Sequence, residues 1–360
     1  MTTIVKIDPI SPESDKIALA ANVIKEGGTV AFPTETVYGL GADGFNREAC
    51  RRIFDIKGRP ADNPLILHIP NLSWLSRVST EHRENILQFA KKVWPGPVTL
   101  TLRRAASVPD IVTAGLDTVA IRCPAHKIAL SLIEQSGVPI AAPSANLSTK
   151  PSTTRFEHVV NDLDGKADMI IDGGDATFGV ESTIINMMDD PPVLLRSGAF
   201  TIGELERYIG RITVPKGSNT VADIKGPPMA PGMKYRHYAP FKKLVVASSN
   251  ELLYNVAMSS YTANYPVALL CSSEFANKIS GSVRTSGVTP IVLGSEKDLY
   301  EVAKNLFNAF RELDRTDAKL GIIQTFDEDG IGLAIMNRIL KASGNTVLKD
   351  LAELQTLMGG

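Results

Sequence analysis

Short apolar runs alternate with amphipathic stretches along the first 210 residues. After a run at 29–32, seven more have the length and flanking turn residues of strands, at 65–69, 97–102, 118–122, 138–142, 168–172, 182–187 and 192–196. Their continuous apolar character predicts a twisted sheet covered on both faces. Helical spacing separates several of them, for example after Asn46, which is expected to cap a helix. The mixture of hairpin and crossover connections predicts an α/β fold with a mixed sheet.

The pattern of apolar and polar residues changes after residue 210. Thr201 and Glu204 have the spacing of a capping box, and the helix that they begin closes a first domain over residues 1–210. Residues 211–240 are rich in proline and poor in apolar periodicity, which indicates a linker. From residue 241 to 360, strands and helices alternate regularly, so we predict a smaller Rossmann-like α/β domain with a parallel sheet.

Composition excludes several classes of protein. Thirty-eight Lys and Arg residues against 39 Asp and Glu give a net charge of -1, so no global basic field is available to hold nucleic acid. The three cysteines are far apart, with no CxxC pair that would indicate a zinc site. The sequence has neither a signal-peptide core nor an apolar run long enough to cross a membrane. We expect a soluble cytoplasmic protein that uses no membrane.

The stretch GLGADG at residues 39–44 fits the dinucleotide-binding pattern GxGxxG. That pattern needs a strand directly before it, a helix beginning inside it and an acidic residue at the end of the next strand. Here six residues, 33–38, intervene after the preceding strand, the helix signal begins only at Asn46, and the next strand ends LILHI. We therefore predict a tight turn that needs glycine dihedral angles, rather than an NAD site.

Cations and hydroxyl groups concentrate near the predicted strand ends. Lys57, Arg59, Arg122 and Arg196 could together neutralise a triphosphate and a carboxylate, since guanidinium groups bind both anions bidentately. Each alone is more simply a solvated surface cation, but the set predicts an anion pocket beyond the carboxyl ends of strands. The polar residues near these cations also have ordinary structural explanations. Small polar residues could serve turns or strands, and a histidine in an apolar strand is more often a hydrogen-bonded core residue; these neighbours are Ser144, Asn146, Ser182, Thr183 and His68.

Several motifs in a fixed order carry a resemblance over essentially the whole chain. They are PTETVYGLG, KGRPxxNPL, AIRCP, APSAN, GxxST and LLRSG, followed by APGMKYRHYAP and GLAIMNR. Together they resemble the YrdC-like threonylcarbamoyl-AMP synthase family in its long two-domain form. The resemblance implies an N-terminal YrdC-like catalytic domain. It also implies a nucleotidyltransferase that makes L-threonylcarbamoyladenylate from L-threonine, bicarbonate and ATP, with release of pyrophosphate. The product serves threonylcarbamoyladenosine formation at position 37 of tRNA.

The resemblance also implies roles for matching residues. L-Threonine would be held by Thr36, His68, Arg122, Ala142 and Ser182. ATP would be held by Lys57, Arg59, Asn63, Thr118, Ser144, Asn146, Ser152, Arg196 and Tyr235, with Lys57 and Arg59 acting in catalysis. Mg²⁺ is expected to bridge phosphate oxygens, although no carboxylate spacing identifies its protein ligands. The product would pass to the proteins that transfer it to tRNA, without stable tRNA binding here.

Other interpretations stay open from the sequence alone. Residues 233–240, MKYRHYAP, could close over the site as a lid that protects a hydrolysable product, or could be a passive spacer. YrdC-like domains also occur in carbamoyl-transferring hydrogenase maturation proteins, but those carry zinc-finger modules, and this chain has no CxxC pair. An RNA-binding module is a third interpretation, which the near-neutral net charge disfavours.

Overall fold

The computed structural model describes residues 1–215, 238–259, 262, 265–280 and 287–359. These residues form two compact units. The first comprises Met1–Ser148 and the described residues from Ser152 to Pro215, and the second comprises Thr149–Pro151 and the described residues from Tyr238 onward. The predicted linker, 211–240, lies mostly outside the described residues, so its bounds stay a prediction.

The first unit is built on strands whose bounds match most of the apolar runs in the sequence. These strands are β1 (Thr3–Lys6), β2 (Val30–Phe32), β3 (Gly39–Asp43), β4 (Ile66–His68), β5 (Val98–Arg103), β6 (Thr118–Arg122), β7 (Ile140–Ala142), β8 (Met169–Asp172), β9 (Thr183–Asn186) and β10 (Val193–Arg196). Among the described residues they form one sheet in the order β1-β8-β2-β3-β7-β4-β6-β5-β9-β10. Parallel and antiparallel pairs are interspersed, for example β4 with β6 and β5 with β6, so the predicted mixed sheet is confirmed.

Helices connect the strands and cover the sheet. They are α1 (Ser14–Lys25), α2 (Arg47–Lys57), α3 (Leu75–Val78), α4 (Glu84–Val93), α5 (Asp110–Thr113), α6 (Lys127–Ser136), α7 (Phe156–Leu163) and α8 (Ile202–Ile209), with a 3₁₀ turn at Leu72–Trp74. Asn46 caps α2 by accepting from two backbone N–H groups, and Thr201 and Glu204 form the predicted capping box of α8. Apolar residues of α1 and α6 pack with Phe32 and Ile140 in one core cluster.

The second unit is a smaller parallel α/β fold. Its strands and helices are β11 (Lys243–Ala247), α9 (Asn250–Ala257), β12 (Val267–Ser272), α10 (Ser273–Ser280), β13 (Val288–Gly294), α11 (Leu299–Arg315), β14 (Leu320–Ile323), α12 (Gly332–Ser343), β15 (Val347–Leu348) and α13 (Leu351–Gly359). In the described residues the strands order as β13-β12-β14-β11-β15, and every recorded pair is parallel. The predicted Rossmann-like architecture is therefore confirmed.

Two of the three glycines of GLGADG, Gly39 and Gly41, lie in a strand, and only Gly44 lies in the turn that follows it. Gly39–Asp43 is strand β3, which pairs antiparallel with β2 and with β7. A Cβ atom on Gly41 would lie 2.5 Å from Ile140 Cγ2 and 2.7 Å from Phe32 Cε1, closer than atoms can pack. The prediction of glycine-specific dihedral angles here is wrong, because this glycine serves the close packing of neighbouring strands.

Candidate active site

Five neighbouring strands bring polar side chains to one edge of the large sheet. His68 and Arg122 end β4 and β6 and are register partners, and Thr99 of β5 is the partner of Arg122 on the other side. Ser182 immediately precedes β9, and Arg196 ends the antiparallel strand β10. We call His68, Arg122, Ser182 and Arg196, at the carboxyl end of β4, together with Thr36, which Arg122 contacts from the loop after β2, the carboxyl-end group.

Arg122 is the centre of this group. Its Nη1 donates to Thr36 Oγ1 at 2.8 Å, which links β6 to the loop after β2. Its Nη2 lies 2.7 Å from Glu35 Oε1, without hydrogen-bond geometry, and both residues are 4% exposed. Nε has no hydrogen-bond partner among the described residues. A buried guanidinium with an unused donor can still bind a small carboxylate.

A second set of contacts connects Arg196 to the same edge. Its Nε and Nη2 donate to the carbonyl oxygen of Ser182 at 3.2 and 3.0 Å, and Ser182 Oγ lies 2.7 Å from Thr99 Oγ1. Gly198 permits this approach, since a Cβ there would lie 2.4 Å from the backbone on either side of Ser182. Arg196 and Arg122 are thus joined through a short chain of hydroxyl groups and strand pairing.

His68 is a neutral histidine in this setting. Its Nδ1 lies 3.2 Å from the carbonyl oxygen of Ile66 and 3.3 Å from that of Ile140. Nδ1 donates to these carbonyl oxygens in the tautomer that carries the proton on Nδ1. Burial, and then the positive charge of Arg122, lower the pKa of His68 from 6.5 to about 3. At neutral pH the imidazole therefore presents a hydrogen-bonding group without adding charge.

The remaining predicted residues lie near the opposite end of β4. Lys57, the last residue of α2, donates from Nζ to the carbonyl oxygen of Ser144 at 2.5 Å and to that of Asn146. Lys57 also accepts at its own carbonyl from the N–H of Ser148 at 2.9 Å. The ammonium group is buried, and it ties the turn after β7 to the end of α2.

Arg59 and Asn63 complete the loop that enters β4. Arg59 Nη2 donates to the carbonyl oxygens of Asn63 and Pro64 at 3.2 and 2.9 Å. Asn63 is buried, yet neither atom of its side-chain amide has a hydrogen-bond partner among the described residues. Such an amide is expected to serve a ligand. We call this set the amino-end group: Lys57, Arg59, Asn63, Thr118, Ala142, Ser144 and Asn146.

Strand direction explains why two groups exist. Because β7 runs antiparallel to β4, Ala142 pairs with Ile66, whereas His68 pairs with Ile140. Thr118 begins β6 and so lies at the end remote from Arg122. The predicted site residues therefore lie at both ends of β4. β4 has three residues, so its ends are about 7 Å apart at about 3.3 Å per residue, a separation that one extended ligand can span.

Two predicted residues, Ser152 and Tyr235, belong to neither of these groups. Ser152 is buried and donates to Glu181 Oε1 at 2.7 Å, whereas Tyr235 lies outside the described residues. Sequence reasoning missed Glu35, Glu181 and Thr99. Glu35 and Glu181 lie inside the motifs PTETVYGLG and GxxST, where the neighbouring hydroxyl groups gave the stronger signal. Thr99 carried no signal beyond its position in an apolar strand.

Two kinds of feature are absent from the described residues. No group of three or more His, Cys, Asp or Glu residues there could hold a metal ion. No helix in that part of the chain is both long enough and apolar enough to cross a membrane.

Known proteins resemble this chain over nearly its full length. A family model described as "Telomere recombination" matches residues 22–198, and one described as "Threonylcarbamoyl-AMP synthase, C-terminal domain" matches residues 200–344. The threonylcarbamoyl-AMP synthase of Pyrococcus abyssi is 46% identical over 343 residues, which are 94% of this chain and 96% of that one. This chain belongs to the threonylcarbamoyl-AMP synthase family. The prediction made from the ordered motifs is confirmed.

Other threonylcarbamoyl-AMP synthases agree in sequence and in fold. The Bacillus subtilis synthase is 44% identical over 344 residues, covering 95% of this chain and 97% of its own length. The crystal structure of P. abyssi Sua5 complexed with L-threonine superposes with a TM-score of 0.88 at 43% identity, over 97% of this chain and 99% of that chain. The two-unit α/β architecture is thus that of the long form of the threonylcarbamoyl-AMP synthase family.

Proposed function

We propose that this protein makes L-threonylcarbamoyladenylate from L-threonine, bicarbonate and ATP, with release of pyrophosphate. The observation that carries the proposal is its similarity, over 94% of the chain, to a protein named threonylcarbamoyl-AMP synthase. A family of that name forms an adenylate, so the chain is an ATP-using transferase. Its product then serves threonylcarbamoyladenosine formation in tRNA.

L-Threonine is assigned to the carboxyl-end group. The unused Nε donor of Arg122 supports binding of the substrate carboxylate, and Thr36 fixes the guanidinium through its hydrogen bond. The neutral His68 and the hydroxyl of Ser182 are polar groups suited to an uncharged side-chain hydroxyl. Ala142 belongs to the other end of β4, so we assign it a backbone contact where the two substrates meet.

ATP is assigned mainly to the amino-end group, with Arg196 and Ser152. Lys57 brings a positive charge to the turn that carries Ser144 and Asn146, and Arg59 brings a second one to the loop that enters β4. Asn63, whose buried amide has no partner among the described residues, supports nucleotide recognition at the same place. Thr118 stands at this end of β6. Tyr235, which lies outside the described residues, keeps its predicted role as a nucleotide contact.

This arrangement suits attack on the α-phosphorus. A carbamate oxygen is a weak nucleophile, and transfer to it is accelerated by alignment and by cations that neutralise the developing charge. Lys57 and Arg59 supply that charge. Mg²⁺, which would neutralise the departing pyrophosphate, is proposed to bind through substrate phosphates and water, because the described residues offer no dedicated cluster of ligands.

The surroundings of the reaction are also proposals. The lid predicted from the sequence, residues 233–240, lies mostly outside the described residues, which include only Tyr238–Pro240 of it, so its role stays a prediction. We propose a cytoplasmic enzyme, supported by three free, buried cysteines. Its product would pass to tRNA-modifying proteins, without a stable tRNA complex of its own.

The test is pyrophosphate release with ATP, Mg²⁺, bicarbonate and each amino acid in turn. Release that requires both threonine and bicarbonate supports the proposal. Release driven by carbamoyl phosphate instead would favour the carbamoyltransferase. Tight RNA binding that weakens steeply with salt, without threonine-dependent turnover, would favour the RNA-binding module.

A further inference from the structure

Glu35 is a buried carboxylate that has no role in the substrate contacts proposed for the site. It is 4% exposed, and neither carboxylate oxygen has a hydrogen-bond partner among the described residues. Its one close cationic neighbour there is Arg122, whose Nη2 lies 2.7 Å from Oε1. A carboxylate withdrawn from water normally accepts several hydrogen bonds. Glu35 therefore has acceptor positions in reserve beside the residue assigned to the substrate carboxylate.

An α-amino acid is built to use both groups at once. Its carboxylate and its ammonium are attached to the same carbon atom, so a site that holds the carboxylate on Arg122 brings the ammonium close by. The ammonium carries three donors and a positive charge, which are what the buried carboxylate of Glu35 lacks. The pair Arg122 and Glu35 is thus complementary to a zwitterion.

We propose that Glu35 binds the α-ammonium of the amino-acid substrate and removes a proton from it. The inference rests on the proposed function, and it supplies the base that carbamate formation needs, since only the unprotonated amine is a nucleophile. One N–H proton passes to a carboxylate oxygen of Glu35, and the nitrogen lone pair forms a C–N bond to bicarbonate. The C–OH bond of bicarbonate breaks, and hydroxide leaves as water with a second proton from nitrogen. Glu35 returns its proton to solvent between turnovers.

The charged and titratable neighbours of Glu35 suit this role. Arg122 is the nearest cation, and Cys123 and His126 of the following segment also feel the charge of Glu35. Burial raises the pKa of Cys123 to about 12 and lowers the pKa of His126, so neither carries charge at neutral pH. His126 Nδ1 has no hydrogen-bond partner among the described residues, which makes this imidazole the rival base.

The test compares E35Q with H126Q and with E48Q, a matched control at an exposed glutamate of α2. E35Q keeps the shape of the side chain but cannot take a proton. At neutral pH, under conditions in which the variant is folded, we expect its threonine-dependent pyrophosphate release to fall about 100-fold or more, with ATP affinity close to parental. The deficit shrinks about tenfold per pH unit as the pH approaches the pKa of the substrate amine, because solution then supplies free amine. H126Q and E48Q remain near parental rates.

A binding measurement separates this role from simple support of Arg122. The probe is an analogue of threonine with a hydroxyl group in place of the amine. E35Q is expected to bind the analogue at least as tightly as the parent does, and threonine more weakly. Equal losses for both ligands, a deficit that does not change with pH, or a large loss in H126Q alone would overturn the inference. A parent without threonine-dependent release would instead reject the proposed function.

Discussion

The ion pair between Arg122 and Glu35 allows stability and substrate binding to be separated. Arg122→Met removes the guanidinium and leaves the Glu35 carboxylate, 4% exposed, without its charge partner 2.7 Å away. Removing one partner of a buried pair costs about 3–5 kcal/mol in the free energy of unfolding. The double variant E35Q/R122M has no buried charge left to compensate, so we expect it to recover to within about 2 kcal/mol of the parent.

Threonine binding is expected to behave differently. At a concentration of about 100 times the dissociation constant, threonine should stabilise the parent by about 2.7 kcal/mol, because it binds only the folded protein. The double variant keeps its fold but lacks the anchor for the substrate carboxylate, so the same concentration should stabilise it by nothing measurable.

Urea unfolding of the parent, both single variants and the double variant, with and without threonine, measures both effects. E48Q, at an exposed side chain, provides the control for loss of a carboxylate. A double variant that is as unstable as R122M would contradict the uncompensated charge. A double variant that threonine stabilises as strongly as the parent would refute the assignment of Arg122 to the substrate carboxylate.

Three further variants probe other parts of the site. R59A should lower the rate of pyrophosphate release about 100-fold, because a charge at the phosphates is lost, whereas R51A, at an exposed arginine of the preceding helix α2, should not; equal rates would remove Arg59 from the site. G198A should lower both stability and turnover by pressing on the Ser182 backbone, whereas G203A, with open space around its Cβ position in α8, should be neutral or stabilising by up to about 1 kcal/mol. H68Q should flatten the acid side of the stability profile. In the parent the folded pKa of about 3 lies below the ordinary 6.5, so the unfolded chain takes up the proton first and stability falls as the pH drops through that window. Parallel acid profiles for H68Q and the parent would contradict the buried neutral imidazole.

Local signals in the sequence predicted much of the fold, because local chemistry decides them. The helix cap at Asn46 and the capping box at Thr201 could be predicted because each involves residues that are at most three positions apart. Apolar runs located the strands because burial on both faces requires continuous apolar character. None of these signals contains strand order or direction, which long-range pairing determines.

The errors follow from that limit. Gly41 resembled a turn residue, and only the neighbouring strands reveal that Phe32 and Ile140 leave no room for a Cβ atom. The sequence could not show that the antiparallel direction of β7 pairs Ala142 with Ile66 and Ile140 with His68. Glu35 could not be singled out in the sequence, because its significance depends on burial against Arg122, a residue more than eighty positions away.

In the proposed reaction, the carbon atom of bicarbonate becomes the link between threonine and AMP. The most direct measurement is mass spectrometry of the adenylate formed from ATP, threonine and carbon-13-labelled bicarbonate, quenched before hydrolysis. We expect threonylcarbamoyl-AMP that carries a single labelled carbon. We expect none of this product when bicarbonate or threonine is omitted. An adenylate of threonine that carries no label would contradict it.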